Sequence, residues 1–110
     1  MSAESDPIVV EKNEEKRRYE VRVDGMMAVL TWARTDDHIT FLHTLVPEPL
    51  EGRGIASQLA HTALDDACAA HLQVVAQCPY VAAYVRRHPE YLAILTPAEQ
   101  VRLRPRQESR

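Results

Sequence analysis

No apolar run in this sequence approaches the length needed to cross a bilayer. Its first residues, MSAESDPIVV, are acidic where a secretory leader would be basic and then apolar. A cytoplasmic protein without a membrane partner is therefore the expectation. Cysteine is scarce: Cys68 and Cys78 are too few for a disulfide scaffold, and free thiols in a reducing compartment suit them better than a bridge. Metal-binding patterns are missing as well. His38, His43, His61, His71 and His88 are scattered, with no Cys-x-x-Cys and no His-x-x-x-His pair, so no metal site is expected. His61 and Asp65 share a helix face at i, i+4, which reads as polar decoration. There is no internal repeat and no low-complexity segment. A formal net charge of −3 gives no general affinity for nucleic acid or an anionic membrane. The charge is nevertheless uneven: residues 1–16 are acidic, and residues 86–110 hold six arginines against three glutamates. Two solvated ends account for this, with a basic tail touching an anionic partner as the alternative.

What is present is one domain's worth of ordinary globular chain: 110 residues, 45% hydrophobic and 26% charged. After a polar lead-in over residues 1–7, the segment RYEVRV alternates Tyr19, Val21 and Val23 with Arg18, Glu20 and Arg22, the period of a half-buried strand. Asp24-Gly25 marks a hairpin into MMAVLTWA, and Asp36-Asp37 a turn into HITFLHTLV. The charged EKNEEKRR before these strands reads as a solvated edge or loop. Pro47 and Pro49 end the third strand because each lacks a ladder donor. From about Gly54 to His71, polar pairs (Ser57-Gln58, His61-Thr62, Asp65-Asp66) alternate with apolar pairs, which puts a continuous, alanine-rich stripe on one side of a helix. LQVVAQC then reads as a buried strand. Pro79 opens a second helix, PYVAAYVRRH, and His88-Pro89 stops it. Trp32 and Phe41 belong to the core, and Cys68 to helix packing. The order is β-β-β-α-β-α, a mixed α/β fold whose last crossover implies a parallel strand pair. The domain is expected over residues 8–95, and residues 96–110 as a charged tail.

The junction Gly52-Arg53-Gly54 opens the first helix. First-turn N–H groups have no intrahelical acceptor, and glycines let an anion approach them. By itself the pattern is also that of a plain tight turn. It is not a dinucleotide-binding fingerprint, which needs a third glycine, and no Gly-Lys-Ser/Thr follows to make a nucleotide-triphosphate loop.

In context, HTLVPEPLEGRGIASQLAHTAL resembles the signature of the GNAT acetyltransferase superfamily, in which a strand, an Arg/Gln-x-x-Gly-x-Gly/Ala loop and a helix bind acyl-coenzyme A. Together with CPYVAAYVRRHPEY it is similar to the small, single-domain YjdJ-type, or minimal, N-acetyltransferases. The resemblance implies a GNAT-like sheet with acetyl-CoA, as co-substrate, in the splay between two parallel strands. Its pyrophosphate would meet the backbone of Gly52, Arg53, Gly54, Ile55 and Ala56, and its pantetheine arm would pair with Leu45 and Val46. Glu51 departs from the pattern, standing where most of the superfamily has Arg or Gln, and Arg53 is the candidate counter-charge. The further C-terminal strands that wall the acceptor site are missing, which leaves it shallow or completed by another chain. For catalysis the resemblance implies Cys78, at the start of the second helix, and His43 on the strand before the loop. The pair would act through an acetyl-cysteine, or with His43 as base and Cys78 lining the pocket. Tyr84 is the nearest match to the tyrosine that protonates the leaving thiolate, with Tyr80 less well placed. The small apolar and half-buried readings of Cys78 and His43, and the packing of both tyrosines against the sheet edge, stand beside these roles. The implied activity is acetyl transfer to a primary amine of a small molecule or protein, by a monomer or homodimer. The alternatives are an acyl-CoA-binding module with little turnover and an interaction protein that keeps the fold.

Overall fold

The computed structural model describes residues 8–104. The expected lead-in and residues 105–110 of the expected tail lie outside them. One five-stranded sheet follows the order of the chain: β1 Glu11–Asn13, β2 Arg18–Val23, β3 Met26–Arg34, β4 His38–Leu45 and β5 Gln73–Ala76. The first four strands are antiparallel neighbours. β5 lies parallel to β4 because helix α1 (Ile55–Ala69) carries the chain back along the sheet. Helix α2 (Pro79–Arg87), a 3₁₀ segment (Pro89–Ile94) and helix α3 (Pro97–Leu103) complete the described chain. The expected order is present, with a three-residue edge strand added before it and α3 after it.

Local chemistry accounts for these elements. Asp24 and Gly25 both take positive φ (54° and 77°), the backbone that a two-residue hairpin between Val23 and Met26 requires. Tyr19 and Val21 face the core. Glu20 points the other way and is still buried, because Arg18 (2.6 Å) and Asn13 (3.0 Å) close over its carboxylate. The Arg18 hydrogen bond holds that carboxyl below its ordinary range. On α1 the buried residues are Ile55, Leu59, Ala60, Ala63, Leu64 and Ala67, the expected stripe. Its small alanines let the helix sit close over β2 to β5, with α2 beside it against β4 and β5. Cys68 falls one residue past the stripe and is exposed, so it does not pack as expected. Trp32 and Phe41 are core residues.

Two features depart from the expected pattern and shape the site. The β3–β4 register breaks between Thr31 and Trp32: Thr31 pairs with His43 and Trp32 with Phe41, leaving Leu42 as an extra residue. Buried Leu30 therefore faces Thr44 across the ladder, and Thr44 rather than His43 takes the core-facing side. The second departure is at the expected tail boundary. Residues 96–103 are packed structure, with Glu99 and Leu103 buried, so the folded unit runs past residue 95. Thr96 caps α3 by accepting the Glu99 N–H (3.3 Å), and Pro97 takes the first helical position.

Candidate functional site

Strands β4 and β5 stay paired only from His38↔Gln73 to Phe41↔Ala76. A last link, Cys78 N–H to Phe41 O at 2.8 Å, closes the pairing. β4 then runs on through Leu45 while the chain after β5 turns into α2, and the two separate. A cleft of about 610 Å³ opens at this splay. Leu45 and Val46 form its strand side, Glu51, Gly52 and Gly54 its loop side, and Ile55, Ala56 and Ser57 the first turn of α1. Six of the seven residues expected to hold a cofactor line it. Arg53 does not: its guanidinium reaches Asp24 on the β2–β3 hairpin at 3.5 Å, and both side chains are exposed. It therefore supplies no counter-charge to Glu51, the one carboxylate among the described lining residues.

The loop is built from backbone. Gly52 and Gly54 take φ of 84° and 79°, a region costly for any residue with a Cβ, and no atom lies within 4 Å of where a Cβ would stand. Glycine is needed here for the path of the chain, and the surface above it is bare peptide. Gly54 caps α1 with no side-chain hydrogen bond, and the first turn carries no acid. The N–H groups of Ile55, Ala56 and Ser57 thus stand at the positive end of a 15-residue helix without an intrahelical acceptor. Such a terminus favours an anion. Leu50, fully buried, anchors the loop that brings them there.

Cys78 sits at the N-cap of α2, 2% exposed, with its Sγ 3.2 Å from Thr44 Oγ1. His43 lies on the opposite face of β4, exposed, and its carbonyl accepts from Thr31 Oγ1 at 3.5 Å. Among the described residues no hydrogen bond joins His43 to Cys78, so the structure does not assemble the expected couple. The bulge at Leu42 is the cause. Strict alternation from Phe41 would have turned His43 toward the core side; the extra residue gives that place to Thr44, which sequence reasoning missed.

The tyrosines also divide differently from the expected register. Tyr80 lines the cleft, and its hydroxyl meets Ser57 Oγ at 2.8 Å. Tyr84 is buried outside the cleft lining, stacked on His88 at 4.2 Å with its hydroxyl 3.5 Å from His61 Nδ1. Burial, then the nearby Asp65 carboxylate, pushes its phenol pKa up. His61 and Asp65 do more than decorate the helix. They pair at 3.1 Å, and buried Tyr91 donates to Asp65 at 2.7 Å, tying the segment after α2 to α1.

A strand edge, a glycine loop and a helix terminus thus converge on one splayed cleft, and similarity to known proteins points the same way. The profile of the GCN5-related N-acetyl-transferase family matches residues 18–95. The chain is 38% identical over 96 residues to Protein NATD1 of Mus musculus, covering 83% of this chain and 87% of that protein. Identity to Protein NATD1 of Homo sapiens is also 38%, with 85% of that protein covered. Protein NATD1 of Danio rerio is 34% identical over 88 residues, covering 76% of this chain and 80% of that protein. The chain therefore belongs to the GCN5-related N-acetyltransferase family.

Proposed function

We propose that this protein is an acetyl-CoA-dependent N-acetyltransferase acting on a primary amine of a small molecule or protein. The observation that carries the reading is the cleft at the β4–β5 splay, where bare first-turn N–H groups of α1 face an apolar strand edge. Those groups fit two parts of acyl-CoA: Gly52, Gly54, Ile55 and Ala56 the pyrophosphate, Leu45 and Val46 the pantetheine arm as an added strand. Bound acetyl-CoA supplies the activated thioester. The protein supplies position and protons. His43, exposed on the outer face of β4, would take a proton from an amine arriving from that side. Tyr80, half-buried and held by Ser57, replaces Tyr84 as the donor toward the departing sulfur. Cys78, buried behind the cleft-lining Thr44, outside the lining itself and without a histidine partner, favours direct transfer over an acetyl-cysteine.

Intact-mass measurement after incubation with acetyl-CoA tests the route. Direct transfer expects no acetyl on Cys78, whereas an adduct that disappears in Cys78→Ala would overturn it. Acetylation of an amine panel tests the activity, with loss of turnover expected in Tyr80→Phe and His43→Ala. A second reading, an acyl-CoA-binding module with little turnover, is favoured by Glu51 at the cleft and by the diversion of Arg53 to Asp24. Saturable CoA binding without transfer to any amine tried would select it.

A further inference from the structure

β5 ends the sheet, and the side turned away from β4 would present an open row of backbone donors and acceptors. The chain after α2 closes that row in two stages. Leu95 first bridges Val74 in the parallel sense, and the Thr96 N–H donates to Val74 O at 3.1 Å. The backbone then leaves the edge to form α3, and side chains take over. Glu99 Oε1 accepts the Ala76 N–H at 2.9 Å, and Arg102 Nη2 donates to the Ala76 carbonyl at 2.8 Å. The same two side chains hold each other through two contacts of 2.8 Å. A neighbouring strand would offer Ala76 one acceptor and one donor, and α3 offers both from a single ion pair. An i, i+3 pair between exposed side chains would do little for the fold. This carboxylate is buried instead, and spends its hydrogen bonds on a strand.

Ala76 is also the residue at which the parallel strands part: it faces Phe41 in the last pair, and Cys78 two positions on begins α2. We propose that Glu99 and Arg102 are positioning residues that stand in for a sixth strand, fixing the end of β5 and with it Cys78 and the start of α2 beside the cleft. The proposal rests on where Cys78 lies and not on the transfer reaction, so it stands or falls separately from the function proposed above. α3 has seven residues, too few to hold a helix alone, so its contacts with β5 and the buried Leu103 keep it in place.

The test uses Cys78 as reporter in a Cys68→Ser background, since Cys68 is the other, exposed thiol. Labelling by a maleimide is followed together with hydrogen exchange of the Ala76 amide. Glu99→Ala is expected to raise both rates about tenfold or more, the scale of losing a charge-assisted bond to a buried group. Glu99→Gln, which keeps an oxygen toward the Ala76 N–H, is expected to restore most of the protection. Asp66→Ala, at the far end of α1, serves as a variant destabilised elsewhere and is expected to leave Cys78 labelling near wild type. If Glu99→Ala does not fold, Arg102→Met, which removes the bond to the Ala76 carbonyl and leaves Glu99 on the amide, is expected to raise Cys78 labelling above that of Asp66→Ala, and labelling no higher than in Asp66→Ala would overturn the proposal. Two further results would overturn it: Cys78 labelling unchanged while Ala76 exchanges faster, or labelling that rises equally in Asp66→Ala and so tracks global stability alone.

Discussion

The two ends of α1 meet differently finished ends of the sheet. At its C-terminal end polar groups are satisfied from within. Tyr19 donates to Asp66 at 2.5 Å, and Lys12 reaches the same carboxylate at 2.9 Å while its ammonium lies over the Trp32 ring at 5.6 Å. Tyr19 and Trp32 pack with ring centroids 4.9 Å apart, and the assembly ties edge strand β1 to the helix. At the N-terminal end the reverse holds. Gly54 offers no side-chain cap, the first-turn amides have no intrahelical acceptor, and Arg53 makes one long, exposed contact. Buried polar groups in proteins are nearly always paired internally. Where a helix end is left bare above a cleft of about 610 Å³, its partner is to be sought outside the chain. One end of α1 holds the fold together, and the other is where the proposed CoA would bind.

Substitutions at each end can break that contrast. The largest loss is expected from Asp66→Ala, which strands the buried Tyr19 hydroxyl and frees Lys12: about 1–3 kcal/mol of stability by denaturant titration, with CoA binding unchanged. Gly54→Ala comes next, at about 1–2 kcal/mol for a Cβ at positive φ. Here CoA affinity should fall as well, roughly tenfold, because a methyl group covers bare backbone. Acid should act mainly away from the cleft. The Tyr19 hydroxyl and then Lys12 hold the Asp66 carboxyl below the usual aspartate range, and the Arg102 guanidinium holds Glu99 below the usual glutamate range. Groups with depressed folded pKa values stabilise above their unfolded pKa. Thermal stability should therefore be flat from neutral pH down to about 5 and fall below about 4.5 as the unfolded chain takes up protons first. Asp66→Ala should flatten part of that fall. The smallest effect is expected for Arg53→Ala, within about 0.5 kcal/mol for an exposed pair at 3.5 Å.

Much of this contrast is legible in the sequence, and the remainder is hidden for identifiable reasons. The hairpin at Asp24-Gly25, the apolar stripe of α1 and the glycine loop each depend on local chemistry, and each appears where its residues indicate. The couple of His43 with Cys78 comes from the resemblance, and nothing in HITFLHTLV announces the extra residue at Leu42 that turns His43 to the other face of β4. Tyr80 and Tyr84 are one helical turn apart on α2. Which of them meets the cleft is decided by how α2 lies against α1, a tertiary matter that periodicity does not contain. α3 has a local signal: Thr96-Pro97-Ala98-Glu99 offers a capping residue, a first-turn proline and a glutamate at the third position. The arginines around it mask that signal with the look of a charged tail. No local pattern could show that Glu99 and Arg102 face a strand end 23 and 26 residues upstream.

Titration with CoA, followed residue by residue through backbone amide resonances, tests the central claim most directly. If the open end of α1 is the ligand site, saturable shifts should be largest at Gly52, Gly54, Ile55, Ala56 and Ser57, extend to Leu45 and Val46, and leave Lys12, Tyr19 and Trp32 unmoved. No saturable shift at millimolar CoA, or shifts centred on the Tyr19–Asp66 end, would contradict the account.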